Sequence, residues 1–417
     1  MSDSPFDLIL RQCLLPGNPD LVDIAIEKGK IVAMGTHLAN LGEQELLVQG
    51  RLTSPPFVES HIHLDSVLTV GQPRWNSSGT LFEGIDIWRD RKATLSYADV
   101  KARAVTALRL QAEQGVLFVR THADVSEPSL VALQALLDLR ESVQEWMTLQ
   151  VVAFPQDGIY GSPQNATLLE EALKLGADAV GGIPHYEFTR EDGVRSIEQI
   201  FQLAQTYDRL VDIHCDEIDD DQSRFLEVVA ACALRSDLGS RVTASHTTAF
   251  ASYNNAYAFK LMGLLERAQI NFVANPLINI TLQGRTDTYP KRRGITRVKE
   301  LWQRGLNVSL GHDCIQDPWY SLGTGNMLNV AAMAIHGCQM TGQAEIDACY
   351  AMVTENGART LNLGNQYGIE VGKPANLIVM EAENPYDALR RTATVTHVIS
   401  RGKLLAQTQP AQTSWFG

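Results

Sequence analysis

The chain lacks the paired cysteines that indicate a disulfide framework or a structural zinc site. Its 417 residues include six cysteines, and no two of them form a CxxC pair. Scattered single cysteines are typical of reduced thiols in a reducing compartment. The N-terminal Met1-Ser2-Asp3-Ser4 segment has neither the basic nor the apolar region of a signal peptide. We therefore expect a cytoplasmic protein.

Positive charge is also scarce. The 35 Lys and Arg residues against 48 Asp and Glu give a net charge of −13, and the only dense basic run is Lys291-Arg292-Arg293. A protein this acidic repels phosphate backbones and anionic lipid. Residues 318–344 carry no charged side chain, but Asn326, His336 and other polar residues interrupt them, which a bilayer core disfavours. We expect no nucleic-acid partner and no membrane span, but a small-molecule substrate.

Phosphate-binding glycine motifs are missing as well. There is no GxxxxGK[ST], and Gly323-x-Gly325 lacks the third glycine of a dinucleotide fingerprint. The middle of the chain instead alternates helical patterns, such as 96–114, 165–175 and 222–234, with short β-rich runs. These runs are 56–61, 117–122, 148–154, 177–183, 210–214, 241–246, 270–274 and 306–311. Eight such runs predict an α/β fold, a (β/α)₈ TIM-type barrel, with an open doubly wound sheet as the alternative.

The two ends of the chain show β-type alternation without a helical period. The runs concerned are 6–15, 21–26, 30–34, 376–380, 394–399 and 402–406. We predict that both termini build one small β-sandwich domain, residues 1–55 and 365–417, beside a barrel spanning residues 56–364.

Residues that bind metals in proteins follow several of the predicted barrel strands. His61 and His63 have the period of two that points both imidazoles to one side. His214, His246 and Asp313 end the fifth, sixth and eighth runs. Because the carboxyl ends of barrel strands meet at one face, where active sites lie, these side chains should converge.

This pattern resembles the amidohydrolase superfamily, and its context resembles the bacterial cytosine deaminase branch over nearly the whole chain. The motifs that carry the resemblance are Phe154-Pro155-Gln156, Ile183-Pro184-His185, His214-Cys215-Asp216-Glu217, Ser245-His246-Thr247-Thr248, Asn275-Pro276-Leu277, Gly311-His312-Asp313 and Asp317-Pro318-Trp319-Tyr320. A zinc cytidine-deaminase fold is excluded, since no Pro-Cys-x-x-Cys follows His185-x-Glu187.

The resemblance implies one divalent metal ion, Zn²⁺ or Fe²⁺, bound by His61, His63, His214 and Asp313. Relatives with two metals carry a carbamylated lysine after the fourth strand, and none follows residues 177–183 here, so one metal is expected.

The remaining roles combine this resemblance with the chemistry of the side chains. Asp313 would also accept a proton from water, and His246 would orient the attacking hydroxide. Glu217 would act as the general acid and base.

Four further residues are assigned to substrate binding. Gln156 offers a donor and an acceptor to a pyrimidine edge, and Phe154 and Trp319 would stack on the ring. Cys314 departs from the branch, which has a second Asp at this position; a thiol is uncharged and behaves as a small hydrophobe. We therefore expect deamination of cytosine and of 5-methylcytosine.

The alternatives are another amino-heterocycle (isoguanine, isocytosine or creatinine) or hydrolysis of a cyclic amide. A homo-oligomer is expected from the resemblance.

Overall fold

The computed structural model describes residues 6–39 and 41–416. The Met1-Ser2-Asp3-Ser4 segment, on which the expectation of no signal peptide rests, lies outside the described residues. Two separate sheets organise the chain, one all-parallel and one mixed.

The parallel sheet confirms the predicted barrel. Its strands follow one another in chain order, each hydrogen-bonded to the next. They are β6 (Phe57–Ile62), β7 (Val116–Asp124), β8 (Thr148–Phe154), β9 (Ala179–Gly182), β10 (Leu210–Cys215), β11 (Val242–His246), β12 (Asn271–Ala274) and β13 (Val308–Leu310). A bridge between Ile62 and Asp313 joins the first strand to the segment after the last. The open doubly wound alternative is therefore wrong.

Helices lie between and after these strands, as a barrel requires. They are α1 (Leu81–Lys92), α2 (Tyr97–Glu113), α3 (Val131–Val143), α4 (Asn165–Lys174), α5 (Arg190–Tyr207), α6 (Phe225–Ser236), α7 (Asn255–Ala268), α8 (Pro276–Leu282), α9 (Val298–Gln303), α10 (Met327–Gly337), α11 (Gln343–Met352) and α12 (Glu355–Thr360). At the start of α2 the Ser96 hydroxyl accepts from the Asp99 N–H and caps the helix. The apolar face of α2 is buried, and this burial orients the helix on the barrel.

Both termini contribute to the mixed sheet. Its strands are β1 (Phe6–Leu14), β2 (Leu21–Glu27), β3 (Lys30–Gly35), β4 (Gly42–Leu47), β5 (Leu52–Ser54), β14 (Leu377–Met380), β15 (Val395–Ser400) and β16 (Lys403–Gln407). The Ile31 N–H donates to the Lys373 carbonyl, so β3 contacts the segment that precedes β14. Residues of β1, β2, β3, β14 and β15 share a hydrophobic core separate from that of the barrel.

The sequence patterns did not predict three short elements that the structure describes in the terminal region: β4, β5 and α13 (Pro385–Arg391). The strand β4 reads Gly-Glu-Gln-Glu-Leu-Leu and is largely exposed, so it shows no apolar alternation. It forms because its backbone pairs with β1. The chain passes from the mixed sheet to the barrel between β5 and β6; the domain boundaries themselves stay a prediction.

The uncharged segment 318–344 forms a loop followed by α10, whose Met327, Leu328 and Ala331 are buried. Within residues 6–39 and 41–416, no helix is long and apolar enough to span a membrane.

Candidate active site

The structure brings the five predicted histidine and aspartate side chains together at the carboxyl ends of the barrel strands. His61 lies on β6 and His63 directly follows it; His214 and His246 lie at the ends of β10 and β11; Asp313 follows β13. All five are buried. The imidazoles of His61 and His63 therefore face the same cluster, as their spacing of two residues predicts.

The spacing of this cluster fits a divalent cation. Nε2 of His63 is 3.0 Å from Nε2 of His214 and 3.6 Å from Oδ1 of Asp313. Nε2 of His61 is 3.7 Å from the same oxygen and has no hydrogen-bond partner among the described residues. Ligand atoms about 2.1 Å from a shared ion lie roughly 3.0–3.4 Å from one another. The distance between His63 and His214 lies in this range, and the two distances to Asp313 are a few tenths of an ångström longer. The donor set, three imidazoles and a carboxylate, suits zinc and iron.

Burial controls the charge of the cluster. It lowers the pKa of His61, His63 and His214 well below the ordinary value, and neighbouring imidazoles add to this effect. These rings are therefore neutral, the form that binds metals. Burial raises the pKa of Asp313 to about 8, an effect that His246 opposes and Glu217 increases. A cation among these residues would compensate the carboxylate, which has no Lys or Arg ion-pair partner among the described residues.

Glu217 and His246 form a hydrogen-bonded pair beside the cluster. Oε1 of Glu217 lies 3.0 Å from Nδ1 of His246, whose Nε2 faces Oδ2 of Asp313 at 3.8 Å. Burial lowers the pKa of His246, but the charge and hydrogen bond of Glu217, together with Asp313, outweigh burial and raise it. A chain of titratable groups thus runs from Glu217 to Asp313.

Two asparagines that the sequence analysis did not identify as site residues contact this pair. Asn279 Nδ2 lies 3.3 Å from Oε1 of Glu217 and 3.1 Å from Nδ1 of His246, and Asn275 also contacts the imidazole. Asn275 precedes α8 and Asn279 lies four residues later, which places both amides on one face. This spacing of two asparagines directly after the seventh barrel strand is the sequence feature that could have identified them as site residues.

The backbone at two strand ends is left-handed. His246 has φ 67° and Asp313 has φ 69°. Residues other than glycine rarely adopt this conformation, and it is concentrated at functional sites. It redirects each side chain from the strand toward the cluster.

A small cleft opens beside the cluster. Its polar lining residues are His63, Gln156, His214, Glu217, His246 and Asp313. The other lining residues are mainly apolar: Leu81, Ile183, Ile278, Leu282, Cys314 and Trp319. Ile183 directly follows β9.

Three of the four predicted substrate-binding residues line this cleft. The side-chain amide of Gln156 has no hydrogen bond to any residue in the described ranges, so it is free to contact a ligand. Cys314 packs with Ile278 and Leu282, and its Sγ lies 3.7 Å from Oδ1 of Asp313. Trp319 packs against this apolar group.

Phe154 does not lie where the sequence analysis placed it. It is not among the lining residues of the cleft; instead, its ring stacks on that of His214, with centroids 4.0 Å apart and planes 19° apart. Phe154 is the last residue of β8 and sits in the packed barrel interior. The position therefore favours support of His214 over contact with a substrate ring.

The loop that carries Trp319 is anchored to the segment after β6. Oδ1 of Asp317 accepts from the N–H groups of Trp319 and Tyr320, and its Oδ2 accepts from the Ser66 hydroxyl. The Trp319 indole N–H donates to the Leu81 carbonyl, and a Cβ at Gly84 would overlap the ring. Close contact with α1 thus fixes the position of Trp319 at the cleft.

His122 and Asp212, which the sequence analysis also left unassigned, lie beneath the cluster. With His61 they form a second group whose potential metal-binding atoms lie within 4.8 Å of one another. Arg120, however, donates from Nη1 to Oδ2 of Asp212 at 3.0 Å, and a guanidinium there disfavours a cation. This second group is therefore a weaker metal site.

Known proteins are similar to this chain in both sequence and fold. The model of the amidohydrolase family matches residues 48–406. A 5-methylcytosine deaminase from Klebsiella pneumoniae, solved with 5-fluorocytosine, is 47% identical, with 98% of this chain and 99% of that chain covered and a TM-score of 0.95.

Two more distant relatives also match over most of their length. An N-isopropylammelide isopropyl amidohydrolase from Pseudomonas sp. is 28% identical, covering 96% of this chain and 98% of the relative. A pterin deaminase from Rhizobium rhizogenes is 28% identical over 93% of this chain and 88% of its own. The chain therefore belongs to the amidohydrolase family and is a hydrolase that acts on carbon–nitrogen bonds.

Proposed function

We propose that this enzyme is a metal-dependent deaminase of the cytosine type that converts cytosine to uracil and 5-methylcytosine to thymine, with release of ammonia. One observation carries the proposal: the same cleft is lined by acid, base and potential metal-binding groups and by apolar residues that include the uncharged Cys314. The 47% identity to a 5-methylcytosine deaminase supports the same substrate class.

His61, His63, His214 and Asp313 would hold one divalent ion, Zn²⁺ or Fe²⁺. Such an ion supplies a nucleophile near neutral pH by lowering the pKa of water. A single ion is proposed because residues 177–185, which include the fourth barrel strand and its carboxyl end, contain no lysine that could serve as a ligand for a second ion. Phe154, stacked on His214, would keep that ring in place.

The ligand Asp313, together with His246 and Glu217 beside the metal ligands, would move the protons. Asp313 accepts a proton from water, and His246 directs the oxygen toward C4 of the pyrimidine. Glu217 donates a proton to the ring nitrogen N3 as C4 is attacked, then takes up the proton of the new C4 hydroxyl group and transfers it to the departing amine, so that ammonia leaves and the C4 carbonyl forms. The proton held by Asp313 returns to Glu217 through His246 and completes the cycle. Asn279, within 3.3 Å of Glu217, keeps its carboxyl group in reach of the cleft.

The substrate would lie in this cleft, in contact with both its polar and its apolar lining residues. Gln156 would pair with the amide-like edge of the pyrimidine through its carbonyl and NH₂ groups. The C5 edge would face Cys314, Ile278 and Leu282. A charged residue at position 314 would lose its hydration against a C5 methyl group, whereas the uncharged thiol does not impose this penalty.

The test is an ammonia-release screen with the purified enzyme over cytosine, 5-methylcytosine, isocytosine, isoguanine, adenine and creatinine. We expect the two cytosines to give the highest kcat/KM. Highest activity on isoguanine or creatinine would contradict the cytosine assignment. No ammonia from any of these compounds, with ring opening of a cyclic amide instead, would favour the alternative hydrolase. The cytoplasmic location and the homo-oligomer stay predictions.

A further inference from the structure

A buried chain of polar side chains leads from the barrel interior to His61. Arg120 Nη1 donates to Oδ2 of Asp212 at 3.0 Å, and the Ser245 hydroxyl donates to Oδ1 of Asp212 at 2.7 Å. The same hydroxyl oxygen lies 3.1 Å from Nδ1 of His61. All four side chains are fully buried. Arg120, Asp212 and Ser245 have no role in the proposed reaction.

The directions of these hydrogen bonds follow from the donor inventory. A carboxylate paired with a guanidinium accepts hydrogen bonds, so the single hydroxyl proton of Ser245 goes to Asp212. The Ser245 oxygen must then accept from His61. Nδ1 of His61 therefore carries its ring proton, and in a neutral imidazole Nε2 is left with a lone pair.

That lone pair points at the candidate metal position. Nε2 of His61 lies 3.7 Å from Oδ1 of Asp313 and has no hydrogen-bond partner among the residues that the structure describes. The opposite tautomer would bury an N–H at Nε2 without an acceptor at hydrogen-bond distance. It would also leave two lone pairs facing each other at Nδ1 and Ser245. Both changes are unfavourable in a buried site.

Arg120 holds this chain firmly to the barrel. Its Nε and Nη2 donate to the Gln150 side-chain carbonyl at 3.1 and 3.0 Å, and Nη2 also donates to the Thr360 carbonyl at 2.9 Å. The guanidinium therefore has little freedom to move. Its hydrogen bond to Asp212 fixes that carboxylate, and the carboxylate in turn fixes the Ser245 hydroxyl.

We propose that Ser245 and Asp212 are positioning residues that lock His61 in its Nδ1-protonated tautomer and hold its Nε2 toward the metal. This inference rests on the proposed metal site. Partners that orient a ligand and fix its tautomer in this way generally contribute strongly to metal affinity.

The first test measures Zn²⁺ affinity of the purified full-length apoenzyme by competition with a chelating dye. Ser245→Ala should raise the dissociation constant by about 10- to 100-fold. Ser245→Thr keeps the hydroxyl and should stay close to the wild type. Ser309→Ala is the matched control, because Ser309 is a buried strand serine that bonds to Thr360 and to the Phe272 carbonyl rather than to a histidine.

Two results would overturn the inference: unchanged affinity in Ser245→Ala, or equal weakening in all three variants. If Ser245→Ala fails to fold, neutron diffraction of deuterium-exchanged wild-type crystals decides the question. A deuteron on Nδ1 of His61 supports the inference, and a deuteron on Nε2 refutes it. Failure of the wild type to bind Zn²⁺ or Fe²⁺ would defeat the proposed function, while the deuteron position would still test the tautomer.

Discussion

Glu217 and His246 share a hydrogen bond, with Oε1 3.0 Å from Nδ1, and both side chains are buried at the cleft. Replacing the carboxyl by an amide keeps this contact but removes the titrating group. We expect Glu217→Gln to lower kcat by at least ~100-fold, because general acid–base catalysis contributes at this scale. Steady-state ammonia release measures the effect.

Metal content of Glu217→Gln should match the wild type, since Glu217 is not among the four proposed ligands. Asp221→Asn, a change at an exposed acid of the same loop, is the control and should retain full turnover. Near-normal turnover of Glu217→Gln would transfer the proton-donating role to another group, with Asp313 the next candidate.

Position 314 should set the preference at C5. Burying one methyl group is worth about 0.8 kcal/mol, so contact alone gives roughly a four- to tenfold effect. We expect Cys314→Asp to lower the ratio of kcat/KM for 5-methylcytosine to that for cytosine by at least about fivefold. Cys314→Ser, similar in size and uncharged, should change this ratio less. An unchanged ratio in Cys314→Asp would show that the residue does not determine selectivity.

Elemental analysis should find close to one equivalent of zinc or iron per chain. His61→Ala removes a proposed ligand and should lose most of that metal and the activity. His336→Ala changes an exposed histidine on α10 and should keep both. Two equivalents in the wild type, or none after metal-supplemented growth, would contradict a site with one metal.

The contact between Gly84 and Trp319 should control the shape of the cleft. A methyl group at Gly84 would overlap the indole, so Gly84→Ala has to displace Trp319. We expect kcat/KM to fall by about tenfold or more, because small displacements of positioning groups are costly.

Gly263→Ala is the matched control for Gly84→Ala: Gly263 is also in a helix, but no atom lies near its would-be Cβ. It should raise the free energy of unfolding by about 0.5–1 kcal/mol and leave kinetics unchanged. Equal kinetics in both variants would remove the proposed role of this contact.

The ion pairs of Lys92 should make stability depend on pH. Its Nζ lies 3.0 Å from Asp124 and 2.6 Å from Asp157. Burial lowers the pKa of Lys92, but the two carboxylates outweigh burial and raise it. Lys92→Met should lower the free energy of unfolding by about 3 kcal/mol near pH 7, because it leaves Asp124 buried without its cation.

A raised lysine pKa stabilises the fold at pH values below the unfolded pKa of about 10.5 and loses this effect as pH rises through the folded value. The difference between wild type and Lys92→Met in urea unfolding should therefore shrink at the alkaline end of the series. Lys174→Met, which removes an exposed ion pair with Glu170, should have little effect. A difference that stays constant with pH would contradict this account.

Local patterns in the sequence were sufficient to predict the barrel and to identify the clustered residues. Buried parallel strands read as short β-branched runs, and the carboxyl ends of barrel strands meet at one face, so His61, His63, His214, His246 and Asp313 could be grouped from their positions alone. The strand β4 could not be foreseen, because backbone pairing with β1 and not apolar alternation creates it.

The contacts around those residues were decided by the tertiary structure. That Phe154 stacks on His214, and that Asn279 reaches Glu217, depends on how neighbouring strands and helices pack, which no local pattern encodes. The chain from Arg120 through Asp212 and Ser245 to His61 joins residues up to 184 positions apart. Side chains so distant in sequence meet only because the barrel closes, and closure is a property of all eight strands together.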